Sequence, residues 1–200
     1  AAKELKAHLY FVTEDYQNAL RLLKDLNLKD KISIFIYDYV SKNQAPESIE
    51  DFNTLHITVY KSFGRFNTLS SDLLHHKIYT DLSYQERLRL ASLLLPIYNN
   101  EAKISVRYDS QLKFLDLSHN EDLAFPYMLQ NFPAQKADFS KTAILNFITF
   151  RSMPLISLDV SHTPIISLET LSNSSLRELS IAHTKIRDLE HLRYSTLQVL

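Results

Sequence analysis

Histidine recurs at a fixed interval in the second half of the chain. His162 and His183 lie 21 positions apart, and three residues before them stand Asp159 and Ser180. If the segments that carry them run as neighbouring strands, the two imidazoles approach one another, and Asp159 becomes a candidate third ligand for a transition metal. The same pair would suit a pH-sensitive surface, because an imidazole changes charge near neutrality. Against the metal, repetition alone puts one residue type in one column, and Lys141 interrupts the row where a third histidine would help. Asp72, His75 and His76 form a second cluster with metal or general-base potential. Their spacing does not match the helix-borne zinc motif H-E-x-x-H, and the expectation is of partly exposed residues in a turn.

Other chemistry is excluded by what the chain lacks. At ordinary abundance, about 7%, its length would carry roughly 14 glycines, yet it has one, Gly64. The phosphate-cradling loops G-x-G-x-x-G and G-x-x-x-x-G-K-[ST] are therefore ruled out, as is the nucleophile elbow G-x-S-x-G. With no cysteine there is no disulfide framework, thiol nucleophile or cysteine-rich zinc site, and any redox compartment is compatible. No pair of acids stands out for acid–base work. Asn173-Ser174-Ser175 fits a glycosylation sequon, which matters only in a secreted eukaryotic protein. No catalytic residue, metal ligand or cofactor is assigned, and the chain is not expected to be an enzyme.

Two hundred residues, 45% hydrophobic and 22% charged, suit one or two domains with a true core. The net charge of -1 is spread as interspersed acids and bases, leaving no basic stripe for nucleic acid or an anionic membrane. There is no apolar run of spanning length, and Ala1-Ala2-Lys3-Glu4 lacks the apolar core of a signal peptide, which favours the cytoplasm. The first residue is not Met, so the sequence reads as a piece of a longer chain.

What must position these residues is a repeat. Leu112 to Asn120 aligns with Leu155 to Thr163 and with Leu176 to Thr184, and Ala134 to Thr142 is a weaker copy. Units start at 112, 134, 155, 176 and 197, a spacing of 22 and then 21, each reading L-x-x-L-x-L-x-x-[NT]. Further apolar columns follow at Ile144, Ile165 and Ile186, at Phe147, Leu168 and Leu189, and at Phe150, Leu171 and Leu192. The pattern predicts short parallel strands stacked about 4.8 Å apart over one continuous core. In each unit the closing Asn or Thr satisfies backbone groups where the chain leaves the sheet. Ala134 and Ala137 stand where other units have Leu, and Phe132, Phe139, Phe147 and Phe150 are expected to fill that volume. Leu197-Gln198-Val199-Leu200 opens a fifth unit, so the natural chain is expected to continue.

Over residues 112 to 200 this pattern resembles the leucine-rich repeat family, and its period resembles the short, internalin-like bacterial types. The resemblance implies an α/β solenoid with a parallel sheet, and a concave face on which a protein partner docks. The residues between and after the inward leucines of each unit are expected on that face. The partner-binding candidates are Phe114, Asp116, His119, Asp138, Lys141, Ser157, Asp159, His162, Glu178 and His183. Lys136, Ser118, Ser140, Ser161, Ser180 and Ala182 share their columns.

Residues 1 to 43 read as a helical region, with Leu5, Leu9, Val12, Tyr16, Leu20 and Leu23 at helical steps, a break at Thr13-Glu14-Asp15, and a second run beginning after Asp30. Asp15-Tyr16-Gln17-Asn18-Ala19-Leu20 resembles the second-helix opening of a tetratricopeptide unit, which implies a helical hairpin near residues 1 to 27. Residues 44 to 111 read as a mixed α/β region capping the solenoid. Its parts are a linker at 44–53 in which Pro46, followed by acids, suits the start of one helical turn, a strand-like alternation at Leu55, Ile57 and Val59, a helix from the capping box Ser83-x-x-Glu86 to a stop at Pro96, and an edge strand at Ile104, Val106 and Tyr108. The functional expectation is a non-enzymatic module that binds a protein partner. Its rivals are a regulatory or sensory segment of a larger bacterial protein such as a kinase, and a metal-dependent hydrolase.

Overall fold

The computed structural model describes residues 2–64, 67–80, 82–171, 174–193 and 195–200. These hold six α-helices and an open five-stranded sheet, a mixed α/β chain in two compact units, residues 1–80 and 81–200. The division falls inside the stretch 44–111 that the sequence groups together. Among the described residues no helix is long and apolar enough to cross a membrane.

The first unit is helical: α1 (Ala2–Val12), α2 (Tyr16–Leu23), α3 (Lys31–Val40), α4 (Ile49–Phe63) and α5 (Thr68–Ile78). Side-chain oxygens start four of these helices: Asp15, Asp30, Ser48 and Asn67 each accept a backbone N–H three residues on. The strand expected at 55–60 is instead the middle of α4. Alternation over five residues cannot separate the two periods, whereas Ile49, Phe52, Leu55, His56 and Val59, all buried, repeat every three to four. The acids Glu50 and Asp51 favour its first turn, and Gly64, at φ 87°, ends it in a conformation that suits glycine.

Helix α1 turns a different face inward from the one its leucines suggest. Ala7, Phe11 and Val12 are buried, while Leu5 and Leu9 are 73% and 60% exposed. The inward face is set by rings, since Phe11 stacks on Tyr16 at 5.3 Å and meets Phe35 and Tyr39 edge-on.

In the second unit α6 (Tyr84–Tyr98) opens with the expected capping box at Ser83 and Glu86. It does not stop at Pro96, which lies inside it. So close to the helix end the missing N–H costs a single ladder bond, and Asn99 closes the helix by donating its backbone N–H to the Leu95 and Pro96 carbonyls.

The sheet follows in sequence order: β1 (Arg107–Asp109), β2 (Phe114–Asp116), β3 (Lys136–Asp138), β4 (Ser157–Asp159) and β5 (Glu178–Ser180). β1 runs antiparallel to β2 at the edge, and the others are parallel, with Leu115, Ala137, Leu158 and Leu179 in register. Val199 continues the series through a bridge to Glu178. Between strands the chain returns through short 3₁₀ segments, Tyr127–Leu129, Ile148–Ser152, Glu169–Leu171 and Glu190–Leu192.

The apolar columns stack through the unit that begins at 155, while their last members differ: Ile186 and Leu192 are half-buried and Leu189 is exposed. Leu117, Phe139, Val160, Ile144, Ile165, Phe147, Leu168, Phe150 and Leu171 are all buried. Ala134 and Ala137 are buried among them, and Phe139 meets Phe150 at 4.7 Å, so rings and small residues occupy one layer. Leu112 departs from the pattern at 65% exposure. It sits in the β1–β2 turn, where Asp109 Oδ1 accepts the N–H of Gln111 and of Leu112, so the first unit has no inward residue at that place.

Candidate functional site

Each parallel strand turns its middle residue into the core and its two flanking residues to the open face. Two rows of side chains result. One runs Phe114, Lys136, Ser157, Glu178, and the other Asp116, Asp138, Asp159, Ser180. Of the predicted residues, Phe114, Asp138, Ser157, Asp159 and Glu178 line a hollow of about 770 Å³ over the sheet, with Lys136 and Ser180 beside them. Asp116 and Phe114 border a second hollow with Arg107 at the β1 edge.

The aspartates do more than face outward. Oδ1 of Asp116, Asp138 and Asp159 accepts the backbone N–H of Ser118, Ser140 and Ser161, at 2.9, 2.8 and 2.7 Å. These side-chain turns steer the chain out of the sheet. Two residues further on, Asn120, Thr142 and Thr163, and Thr184 at the equivalent place, donate to the carbonyls of Leu117, Phe139, Val160 and Ile181 at 2.7 to 2.8 Å. The closing Asn or Thr therefore does what the repeat predicts. Asp116 differs from its neighbours, because Arg107 reaches its Oδ2 from Nε at 3.1 Å and from Nη2 at 2.6 Å. Partial burial pushes the Asp116 carboxyl up. The Ser118 hydroxyl and N–H together with Arg107 outweigh that and hold it below the usual carboxylate value.

His119, Lys141, His162 and His183 stand apart from the hollow. They occupy the turn after each strand with φ of 61°, 55°, 57° and 57°, all left-handed, and all are exposed. The N–H groups of His119, Lys141 and His162 still bond the next unit, to the carbonyls of Ser140, Ser161 and Ala182. The His162 and His183 rings stack at 4.3 Å and 20°. Among the described residues no group of three His, Asp or Glu side chains is placed to hold a metal ion.

In the first unit Asp72, His75 and His76 lie on α5, in a helix and not a turn, because Asn67 caps a run whose Leu69, Leu73 and Leu74 are buried. Their spacing of three and four residues puts them on one face. There they border a hollow of about 790 Å³ with Leu5, Leu9 and His8, whose Nε2 is 3.1 Å from Asp72 Oδ2. His8 carried no signal in the sequence, nor did the buried pair His56 and Ser70, 3.1 Å apart between Nε2 and Oγ. Burial pushes the His56 imidazole down to about 4, against a smaller upward pull from Ser70. The sequon at Asn173 lies outside the described residues.

No protein-family model, curated protein or solved structure matches this chain.

Proposed function

We propose that residues 112–200 form a leucine-rich-repeat solenoid of the short, 21-residue type, and that the chain is a non-enzymatic interaction module whose protein partner docks on the open face of the sheet. The observation that carries this reading is the hollow itself. It lies over four strands in fixed register, and its lining side chains stand at positions the repeat dictates. Side chains held that way lose little freedom on contact, which favours binding. In the first unit, α1 and α2 are read as a tetratricopeptide-like hairpin. Support comes from Asp15 capping α2 and from the burial of Tyr16 and Ala19, two of the three apolar places of the motif, the third, Leu20, being half-buried.

The test replaces Asp116, Asp159, His162 and Glu178 together by Ala. The variant should keep its circular dichroism and lose affinity for a protein captured by the wild-type chain, purified, and titrated against both. Equal affinity would place the docking surface elsewhere.

A further inference from the structure

The Asp row carries charge in an arrangement that is unfavourable alone. Asp116, Asp138 and Asp159 are direct register partners on adjacent parallel strands, which brings like charges to about 4.8 Å spacing and disfavours the row. At the first position the chain resolves this with its own cation. Arg107, opposite Asp116 in the β1–β2 register, gives two N–H groups to Oδ2 while Oδ1 stays on Ser118. Asp138 and Asp159 repeat half of that arrangement. Their Oδ1 atoms are fixed by Ser140 and Ser161, and among the described residues Oδ2 of each has no hydrogen-bond or ionic partner. Lys136, two residues before Asp138 on the same face, makes no ion pair with either among the described residues, and Glu178 adds a further carboxylate to the same hollow.

We propose that the open face takes an arginine side chain from an extended segment of the protein partner, its guanidinium seated on Oδ2 of Asp138 and Asp159 as that of Arg107 is seated on Asp116. This deepens the docking reading above and rests on it. Guanidinium is the fitting group because its planar fork matches carboxylate oxygens, where an ammonium offers a single point of charge. The serine N–H bonds fix the carboxylates beforehand, so ordering them on binding costs little.

The probe is the peptide acetyl-Ser-Arg-Ser-Arg-Ser-Arg-amide, titrated into the full chain at physiological salt while backbone amide resonances are followed. Its lysine and citrulline analogues serve as controls. The arginine peptide should move the Ser140 and Ser161 amides saturably. The lysine peptide should bind several-fold more weakly, and the uncharged citrulline peptide about tenfold more weakly. In Asp138→Asn with Asp159→Asn, which keeps the acceptor for each serine N–H, the arginine peptide should lose about tenfold in affinity. Arg107→Gln, by freeing Asp116, should bring Ser118 into the set of shifted amides. Equal binding of the three peptides, an unchanged affinity in the double variant, or shifts confined to residues off the sheet face would each overturn the arginine site. If the four-site Ala variant nonetheless loses the protein partner, the docking face stands and arginine recognition alone has failed.

Discussion

Ser161 donates its backbone N–H to Asp159 Oδ1 at 2.7 Å, and the same bond recurs one unit earlier between Ser140 and Asp138 at 2.8 Å. The aspartate is thus a structural part of the turn as well as a charge on the open face. The two roles separate by substitution. Asp159→Asn retains an acceptor and removes a charge aligned with Asp138, so its stability in urea should equal or exceed wild type by up to about 0.5 kcal/mol. Asp159→Ala removes the acceptor and should cost about 1 kcal/mol. Equal losses for the two would show that charge, not the turn bond, is what the position supplies.

The left-handed column offers a gain in stability. Exposed Lys141 at φ 55° and His162 at φ 57° hold a conformation that disfavours most side chains with a Cβ. Their backbone N–H bonds to the next unit do not depend on the side chain. Lys141→Gly or Lys141→Asn should therefore stabilise the chain by about 0.5–1 kcal/mol in thermal unfolding, whereas His162→Val should cost about 1–2 kcal/mol. A destabilised Lys141→Gly would mean that the lysine stem packs usefully on the turn.

His56 makes the first unit acid-sensitive. Its imidazole is fully buried, and desolvation lowers its pKa from 6.5 to about 4. Between those values the unfolded chain binds a proton that the folded chain refuses, so the stabilisation is complete above about pH 6.5 and declines as pH falls toward 4. The difference of about 2.5 units corresponds to about 3 kcal/mol. The protection of α4 and α5 amides against hydrogen exchange, relative to the intrinsic rate at each pH, should fall over that range. His56→Gln, which keeps a polar partner for Ser70 without a titrating group, should flatten the dependence. A wild-type profile without a slope there would contradict the neutral, buried imidazole.

Legibility differed between the two units for a physical reason. In the second, each parallel strand makes the same contacts 21 or 22 residues after the last, so one register error would break four columns at once, and the pattern in Leu158, Leu179 and their neighbours can be read directly. Helix α1 has no such redundancy. Leu5 and Leu9 have the helical period, yet the aromatic rings of α2 and α3 select Phe11, which is a tertiary preference that local periodicity does not contain. At 55–60 the β-branched residues misled because the sequence window was too short to show Ile49 and Phe52. Within the site, the outward rows were legible from alternation. The ion pair of Arg107 with Asp116 was not, since it depends on the register of an antiparallel hairpin. The left-handed turn was likewise hidden, because His and Lys stand where Gly or Asn would have announced it.

Tyr16 sharpens that point about α1 and α2. Its ring is stacked on Phe11 and faces Tyr39 edge-on at 6.0 Å, while its hydroxyl is buried with no hydrogen-bond partner among the described residues. A buried hydroxyl without a partner forfeits its hydration and gains nothing in exchange, whereas the ring supplies the packing. Tyr16→Phe should leave the fold intact and be neutral or stabilising by up to about 1 kcal/mol, and Tyr16→Ala should cost about 3–5 kcal/mol. Burial, followed by the nearby Tyr39 and Glu14, raises the phenol's pKa above its usual value of 10.0. The folded state therefore keeps the proton that the unfolded state gives up above pH 10, so this group's contribution is present below that pH and is lost as pH rises. Alkaline unfolding followed by circular dichroism should begin at higher pH in Tyr16→Phe than in wild type. If the Phe variant were less stable than wild type at neutral pH, the hydroxyl would have to be bonded in solution.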